Sequence, residues 1–476
     1  MTINSDWLKI VKEGCPDAFS RHHPHPLGTV FIDGQIRLMK PDYIRTWDLF
    51  VQKQFLDAID RWFAQGALVV VLGFDDYEHV PASKHMTQRK RSQHVPVMNF
   101  DAHADLPPAI PQDWSAAMRN RSFKNKVVSL VSAYVRNHYK NRTDAAVVID
   151  HTRAPESLGR LWQLPLELTS HDGQAPAGRG ECDIKGPAYM RNGAGQPTTT
   201  PLTLSSTDGD FLPIALLQIE QMQQTGETAP EVVLYRMRTS LPSDGDSVKN
   251  QKYEFLHVQK VYDWLKKQFP RKTRPAAHFA SLVAACGCDF AQNLPQLGPI
   301  RVWKIRNRFD CIDTHSAHGI LATIYFAYLY LFQNKITLSS QATALSSNAT
   351  AGEALSELVI KFDQLTSAVK RNTLVAARTK ESLWSAERAL AHAQNSYWTT
   401  LYWSMLHRCP CPLSGDFGFH RVNGVVDFGG QSKETPAKKA ASSKISRART
   451  QKLTNQQAKK RKAQPDSRTV HQHQPA

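Results

Sequence analysis

Residues Gly28 to Asp75 form the stretch that indicates the class of fold. It opens with Gly28-Thr-Val-Phe-Ile-Asp33 and closes with Ala67-Leu-Val-Val-Val-Leu-Gly-Phe-Asp75, two nearly continuous apolar runs rich in β-branched residues. Between them, apolar residues recur at helical spacing from Tyr43 to Phe63. Strands that are apolar on both sides are typical of a parallel sheet covered by helices on both faces. The stretch therefore predicts a βαβ unit and an α/β fold.

Two further runs, Ala145–Asp150 and Val232–Met237, extend the predicted sheet, and the pattern from Gly319 onward is helical. Residues 432–476 contain no aromatic residue and carry 12 basic and two acidic side chains, or +10 of the net charge of +17. A segment of this composition cannot bury enough apolar area to fold. We predict an N-terminal extension (1–24), an α/β core (25–310), a helical C-terminal region (311–430) and a disordered basic tail (431–476).

The overall composition favours a polyanionic partner, nucleic acid before an anionic membrane, because basic residues exceed acidic ones so strongly. The longest apolar stretch, Ile320–Phe332, is 13 residues, whereas a membrane span needs about 20. The N-terminus lacks the basic flank and apolar run of a signal peptide. Seven cysteines without a repeating framework indicate a reduced intracellular protein. We predict no membrane partner.

Acidic residues end the predicted strands or stand in short acidic pairs. In an open α/β sheet, ligands bind outside the carboxyl ends of the strands, so acids from separate strands meet there. Converging carboxylates repel one another unless cations compensate them, and oxygen ligands suit Mg²⁺ or Mn²⁺. Two such ions about 4 Å apart can stabilise the attacking and leaving oxygens of a phosphodiester displacement. The acids in such positions are Asp33, Asp75, Asp76, Glu181, Asp183, Asp208, Asp210 and Asp289, although an Asp at a strand end is often a cap or turn residue.

This ordered set of acids, with its flanking residues, resembles the FEN/XPG-type structure-specific 5′ nucleases of the PIN-like superfamily over roughly 28–303. The resemblance implies a PIN-like, FEN-type core that holds two Mg²⁺ ions, for which Mn²⁺ can substitute. The metal ligands that it implies are Asp33, Asp75, Glu181, Asp183, Asp208, Asp210 and Asp289. The sequence departs from the family where Asp76 replaces a glycine and where Asp183 replaces the usual glutamate, which makes its reach to a metal shorter. The matching motifs are Phe31-Ile-Asp33-Gly, Leu72-Gly-Phe-Asp75, Gly180-Glu181-Cys182-Asp183, Asp208-Gly-Asp210-Phe and Gly287-Cys-Asp289-Phe.

A basic segment follows Asp75. Lys84 and Arg91 are seven residues apart, so they face the same way on a helix. In the family, a Lys and an Arg at this spacing reach the scissile phosphate, which implies a catalytic role for both, with Arg89 and Lys90 binding nucleic acid beside them. Such cations offset charge that develops on the phosphate. The alternative is an exposed basic helix that contacts only backbone phosphates.

A second basic segment spans residues 115–142, which contain no acid and carry valines at helical spacing. It predicts a basic amphipathic helix, and a solvated helix face is the alternative. The resemblance implies that an insert of about 101–142 forms an arch over the active site and that a hairpin covers about 289–304. In that hairpin, Gly298 would let backbone N–H groups approach a phosphate of a duplex. The predicted nucleic-acid contacts of the arch are Arg119, Arg121, Lys124 and Lys126.

Together these features predict a monomeric, metal-dependent nuclease that acts on DNA in preference to RNA, as a 5′ flap endonuclease or 5′ exonuclease in DNA repair. The alternatives are an RNA-directed nuclease of the same superfamily and a non-catalytic nucleic-acid-binding scaffold. No sliding-clamp peptide is found in the sequence. Lys459-Lys-Arg-Lys462 resembles a nuclear localisation signal, and its charges would also bind nucleic acid.

Overall fold

The computed structural model describes most of the chain up to residue 428. The described residues are 4–23, 26–39, 42–75, 97–144, 146–151, 155–159, 181–192, 194–236, 254–288, 291, 294–308, 312, 314–332, 351–404, 419–422 and 425–428. The chain divides into Met1–Gly429 and Gly430–Ala476, and the second unit, which contains the predicted basic tail, lies outside the described residues.

The described part of the chain contains an eight-stranded sheet and a separate hairpin. The strands are β1 Phe19–Ser20, β2 Thr29–Asp33, β3 Val69–Gly73, β4 Ala146–Asp150, β5 Glu156–Gly159, β6 Leu202–Ser205, β7 Val232–Arg236 and β8 Glu254–His257, with β9 Phe419–Val422 and β10 Val425–Phe428 in the hairpin. The order across the sheet is β1-β8-β7-β6-β2-β3-β4-β5. The five central strands, β7 to β4 in this order, are parallel. The outer strands β5, β8 and β1 pair antiparallel.

Helices flank this sheet. They are α1 Asn4–Gly14, α2 Gly34–Arg37, α3 Trp47–Val51, α4 Asp57–Ala64, α5 Trp114–Arg119, α6 Arg121–Tyr139, α7 Cys182–Ala188, α8 Phe211–Gln224, α9 Val258–Gln268, α10 Pro275–Cys286, α11 Pro299–Lys304, α12 Ala317–Phe332, α13 Ala351–Arg371, α14 Ala377–Ser382 and α15 Ala386–Ser404. The predicted α/β class with a mostly parallel sheet is confirmed. No helix among these is both long and apolar enough to cross a membrane.

All four predicted strands are present, as β2, β3, β4 and β7, because their apolar side chains are buried on both faces of the sheet. Along β2, Phe31 packs into the core on one face, while Val30 and Ile32 pack into the core on the other. Each fully buried side chain of this size contributes about 1.5–3 kcal/mol. The helix predicted between the first two strands begins at Trp47, where the Thr46 hydroxyl accepts a hydrogen bond from the Leu49 N–H.

The two faces of the sheet are covered by different parts of the chain. Helices α3, α4 and α6 cover one face. Helices α1, α7 to α13 and α15 belong to the core on the other face. The predicted C-terminal helices join this second core, where the side chain of Gln218 in α8 donates to the carbonyl groups of Trp403 and Ser404. Trp398 and Trp403 are buried, so the aromatic side of α15 is a packing surface.

The basic segment at 115–142 forms α5 and α6 and is part of the layer that covers the sheet. Helix α6 connects β3 to β4, and its side chains Phe123, Val127, Val131 and Val135 are fully buried. The predicted amphipathic helix is therefore present as a crossover helix, and its packing on the sheet explains its apolar side. The arch role that the family resemblance implies for this segment stays a prediction.

Candidate active site

The order of the strands reverses beside β2. The chain passes from β2 to β3 and β4 in one direction, and then returns to place β6 on the other side of β2. Ligands of open α/β sheets bind outside the carboxyl ends of the strands at such a reversal. Asp33 is the last residue of β2, Asp75 follows β3, and Asp208 and Asp210 follow β6. Four of the predicted ligands therefore lie at this edge of the sheet.

The acids of β2 and β6 are linked by hydrogen bonds. The Asp33 carboxylate accepts from the Gln35 N–H at 2.9 Å and from the Ser206 hydroxyl at 2.9 Å. The Ser206 hydroxyl oxygen accepts from the Asp208 N–H at 3.0 Å, and the Asp208 carboxylate accepts from the Asp210 N–H at 3.0 Å. The loop after β6 is therefore tied to the end of β2, which holds the D-x-D pair beside Asp33.

The acids of β3 and α7 form a second linked group. The Asp75 carboxylate accepts from the N–H of Cys182, the first residue of α7, at 3.0 Å. Glu181 is the residue before this helix, and Asp183 lies in its first turn, where its carboxylate accepts from the Ile184 N–H at 3.1 Å. Both side chains are almost fully buried. Negative charge at a helix N-terminus is favourable, which helps to explain why α7 begins here.

Glycine allows the two groups of acids to approach each other. A Cβ atom on Gly34, which follows Asp33, would lie 2.5 Å from the carbonyl oxygen of Gly73 at the end of β3. A Cβ atom on Gly186 in α7 would lie 2.7 Å from the ring of Phe211 at the start of α8. Larger side chains at either glycine would push these elements apart and separate the acids that they carry.

The carboxylates act on one another strongly. The pKa of Asp33 is raised to about 7, first by burial and then by the negative charges of Asp75 and Asp208, while the hydrogen bonds from Ser206 and Gln35 lower it. The pKa of the Cys182 thiol is raised well above its usual value, first by burial and then by the charges of Asp75 and Asp33. Acids from β2, β3 and β6 therefore share one strongly negative region.

The donor atoms of this region suit a hard cation. Among the residues that the structure describes, no three His, Cys, Asp or Glu side chains are placed so that they could hold a metal ion together. All of the acids are oxygen donors, however, and burial together with the charges of Asp75 and Asp208 disfavours an uncompensated negative charge on Asp33. A divalent cation that replaces the proton on Asp33 would supply the compensating charge. Asp289, the seventh predicted ligand, lies outside the described residues.

A buried cation, which the sequence analysis missed, lies beside the acids. Lys185 in α7 is fully buried, and its ammonium nitrogen is 3.5 Å from a carboxylate oxygen of Asp150, the last residue of β4. The other oxygen of Asp150 accepts a hydrogen bond from the Tyr189 hydroxyl at 3.0 Å. The only signal for Lys185 in the sequence is its place two residues after Asp183. Lysine is normally exposed, so this spacing alone does not indicate burial.

The predicted nucleic-acid contacts on α5 and α6 lie near the same edge of the sheet. Because β3 and β4 are parallel, the helix that joins them begins near their carboxyl ends. The indole N–H of Trp114 in α5 donates to the Leu38 carbonyl at 2.8 Å, which ties α5 to the segment that follows Asp33. The predicted contacts that belong to this end of α6 are Arg119, Arg121, Lys124 and Lys126, of which the first two are exposed.

The remaining predicted residues are placed apart or lie outside the described residues. Gly298 precedes α11 in the predicted hairpin, and open space surrounds the position that its Cβ atom would take. The neighbouring turn is held by Arg301, whose side chain donates to the Gln296 carbonyl at 2.7 Å. The contact of Gly298 with a phosphate stays a prediction. The predicted residues outside the described part of the chain are Lys84, Arg89, Lys90 and Arg91.

A scan against protein-family models finds no match to this chain, and a search of curated protein sequences finds none either.

Proposed function

We propose that this protein is a metal-dependent nuclease that hydrolyses phosphodiester bonds in nucleic acid. The observation that carries the proposal is the convergence of acids from β2, β3 and β6 at the reversal of strand order, where Ser206 links Asp33 to the loop of Asp208. Burial, and then the charges of Asp75 and Asp208, raise the pKa of Asp33 to about 7. A crowded, buried set of carboxylates destabilises the folded chain, and the cost is offset when cations bind there. The site therefore has the character of a binding site for divalent cations.

The acids, their hydrogen-bond donors and the nearby basic residues have different roles in the proposed reaction. The proposed ligands of two Mg²⁺ ions are the carboxylates of Asp33, Asp75, Glu181, Asp183, Asp208 and Asp210. Because no three of these described side chains are grouped to hold one ion together, metal binding would have to draw them closer. When bound, such ions lower the pKa of a water molecule and stabilise a leaving oxygen. The Ser206 hydroxyl and the Gln35 N–H keep the Asp33 carboxylate oriented through their hydrogen bonds. The basic residues at the start of α6 would bind phosphate groups next to the acids and so bring the substrate to the site.

We infer further that the protein is a FEN/XPG-type 5′ nuclease with a PIN-like core and that it acts on DNA. This finer proposal rests on the order of the acids and their flanking motifs, together with the basic residues near the same edge of the sheet. A scaffold that only binds nucleic acid is disfavoured, since crowded carboxylates would repel the phosphates that it binds. An RNA-directed nuclease uses the same chemistry, and the choice of substrates in the test separates the two.

The test is cleavage by the full-length protein with Mg²⁺ on matched 5′-flap DNA, 5′-flap RNA and linear single strands. We expect the 5′-flap DNA to be cleaved. Asp208→Asn and Asp210→Asn are each expected to lower the single-turnover rate by about 100-fold or more, the scale for losing one group that stabilises a transition state. Both variants should still bind the DNA, because phosphate contacts lie elsewhere.

The matched control is Asp263→Asn, which removes an exposed acid of α9 that pairs with Lys266 at 2.6 Å. This variant should cleave as fast as the unchanged protein. Full activity of Asp208→Asn and Asp210→Asn under limiting Mg²⁺ would overturn the assignment of the D-x-D pair. Cleavage of the 5′-flap RNA but not of the 5′-flap DNA would support the proposed nuclease activity and would show that the substrate is RNA and not DNA.

A further inference from the structure

Lys185 is bound from several sides. It is a fully buried lysine, and its ammonium group donates to the Phe74 carbonyl at 2.6 Å and to the His151 carbonyl at 2.5 Å. The carbonyl and the carboxylate of Asp150 each lie 3.5 Å from the same nitrogen. A lysine is rarely buried unless it is paired, and here the pairing uses backbone groups as well as an acid.

These carbonyl groups mark the ends of two strands of the sheet. Phe74 follows β3 and directly precedes Asp75, while His151 directly follows β4. The two ends are also joined by the Phe74 N–H, which donates to the Asp150 carbonyl at 2.8 Å. Lys185 therefore sits where the chain leaves both strands, and it fixes the point from which Asp75 enters the acidic site.

A closed path of contacts joins this cation to the acids. From the Lys185 ammonium it passes to the Phe74 carbonyl and to the neighbouring Asp75, whose carboxylate accepts from the Cys182 N–H at 3.0 Å. Cys182 begins α7, the helix that carries Lys185 itself, and Asp183 lies in the first turn of the same helix. Movement of Lys185 would consequently shift the strand end and the helix start together.

We propose that Lys185 is a positioning residue of the nuclease site, which joins the ends of β3 and β4 to α7 and so fixes the elements that carry Asp75, Glu181 and Asp183, the proposed metal ligands. This inference rests on the proposed function. Lys185 does not touch the substrate in this scheme, since it is enclosed among the Phe74, Asp150 and His151 groups.

The test replaces Lys185 in a background that avoids a lone buried charge. The double variant Lys185→Met with Asp150→Asn removes both charges and keeps the approximate volumes, so folding is expected to survive. Two measurements are made on it: Mn²⁺ binding by calorimetry without substrate, and the Mg²⁺ concentration that gives half the maximal cleavage rate. Both are expected to weaken by about 10- to 100-fold, the scale for residues that orient metal ligands.

The matched control is Lys361→Met. Lys361 is also nearly buried and pairs with Glu357 at 2.6 Å, but it lies in α13. Its loss should lower the unfolding temperature and leave Mn²⁺ binding and the Mg²⁺ response unchanged. A milder variant, Tyr189→Phe, removes only the hydroxyl that holds Asp150 near Lys185, and it is expected to weaken Mn²⁺ binding by a few-fold, about 3-fold or more.

The outcomes separate the two proposals. If the unchanged protein binds Mn²⁺ and cleaves DNA while the folded double variant responds to both metals normally, the positioning role of Lys185 is wrong and the nuclease assignment stands. If the double variant does not fold, Tyr189→Phe decides in the same way, and unchanged Mn²⁺ binding in that variant overturns the positioning role. If the unchanged protein neither binds Mn²⁺ nor cleaves any substrate, the proposed function itself fails.

Discussion

Replacing Asp33 with asparagine should stabilise the metal-free protein at pH 8, even though Asp33 is buried and accepts two hydrogen bonds. Its pKa is raised from 3.8 to about 7, first by burial and then by the charges of Asp75 and Asp208. Below pH 3.8 this carboxyl is protonated in both the folded and the unfolded chain. As the pH rises from 4 to 7, the unfolded chain releases the proton and the folded chain retains it, so the folded state loses stability across this window.

The size of the effect follows from the two pKa values. Each pKa unit corresponds to about 1.4 kcal/mol, so a rise from 3.8 to about 7 costs the folded chain about 4 kcal/mol once the pH is above 7. An asparagine at this position carries no charge and avoids this cost. Its amide oxygen can accept from the Gln35 N–H, and its amide N–H can donate to the Ser206 hydroxyl, which has two acceptor lone pairs.

The assay is urea unfolding in the presence of a chelator at pH 8 and at pH 4. The free energy of unfolding of Asp33→Asn should be about 3–4 kcal/mol higher than that of the unchanged protein at pH 8. At pH 4 the difference should be less than about 1 kcal/mol. Adding Mg²⁺ should stabilise the unchanged protein more than the variant, because the variant lacks one proposed ligand charge.

The control for this prediction is Asp57→Asn. The pKa of Asp57 is lowered by hydrogen bonds from Gln52 and Lys53, so its removal should not stabilise the folded chain at pH 8. Equal stability of Asp33→Asn and the unchanged protein at pH 8, with an unchanged fold, would contradict this prediction. That result would mean that burial and the charges of Asp75 and Asp208 do not raise the pKa of Asp33 in the folded chain.

Three further predictions concern other parts of the chain. Glu220→Ala should lower the free energy of unfolding by about 2–4 kcal/mol in urea, because the buried carboxylate accepts from two N–H groups at the start of α10. Lys84→Ala and Arg91→Ala should each lower the single-turnover cleavage rate far more than they lower DNA affinity. A loss of affinity alone would favour the alternative, an exposed basic helix that contacts only backbone phosphates. A chain that ends at Gly430 should still cleave at low salt, but its DNA binding should depend less on salt and its nuclear enrichment should be lost. Complete loss of cleavage in that truncated but folded chain would show that the tail belongs to the active site, and it would contradict the predicted domain boundary.

Several elements of the fold could be predicted because their signal is local. The strands β2, β3, β4 and β7 are short apolar runs whose side chains are buried on both faces, and burial of this kind leaves a pattern in the sequence. Strand β6 was not predicted, since Leu202-Thr-Leu-Ser205 is only four residues long and half polar. Its place in the sheet comes from its parallel pairing with β2 and β7, which is a long-range contact.

For the amphipathic helix at 115–142, the sequence likewise predicts the helix itself but not its tertiary contacts. The spacing of its valines indicated a helix with one apolar side, and that side is buried in α6. A spacing pattern states which side is apolar and not what the side packs against. That α6 is a crossover helix on the sheet, with its basic start tied through Trp114 and Leu38 to the segment after Asp33, depends on tertiary contacts.

The α/β class, the main strands and the acids that end them or stand in pairs can be predicted from the amino-acid sequence, because these properties depend on neighbouring residues and on simple periodicity. The strand order that brings Asp33 beside Asp208, the hydrogen bond between Asp75 and Cys182, and the burial of Lys185 depend on the folded chain. Hydrogen bonds and charges act between groups that are close in space. Here the hydrogen-bonded pairs Lys185 with Phe74 and Ser206 with Asp33 are each separated by more than a hundred residues along the chain. A lysine in a sequence is ordinarily a surface residue, and it becomes an internal cation only where the fold brings carbonyl groups around it.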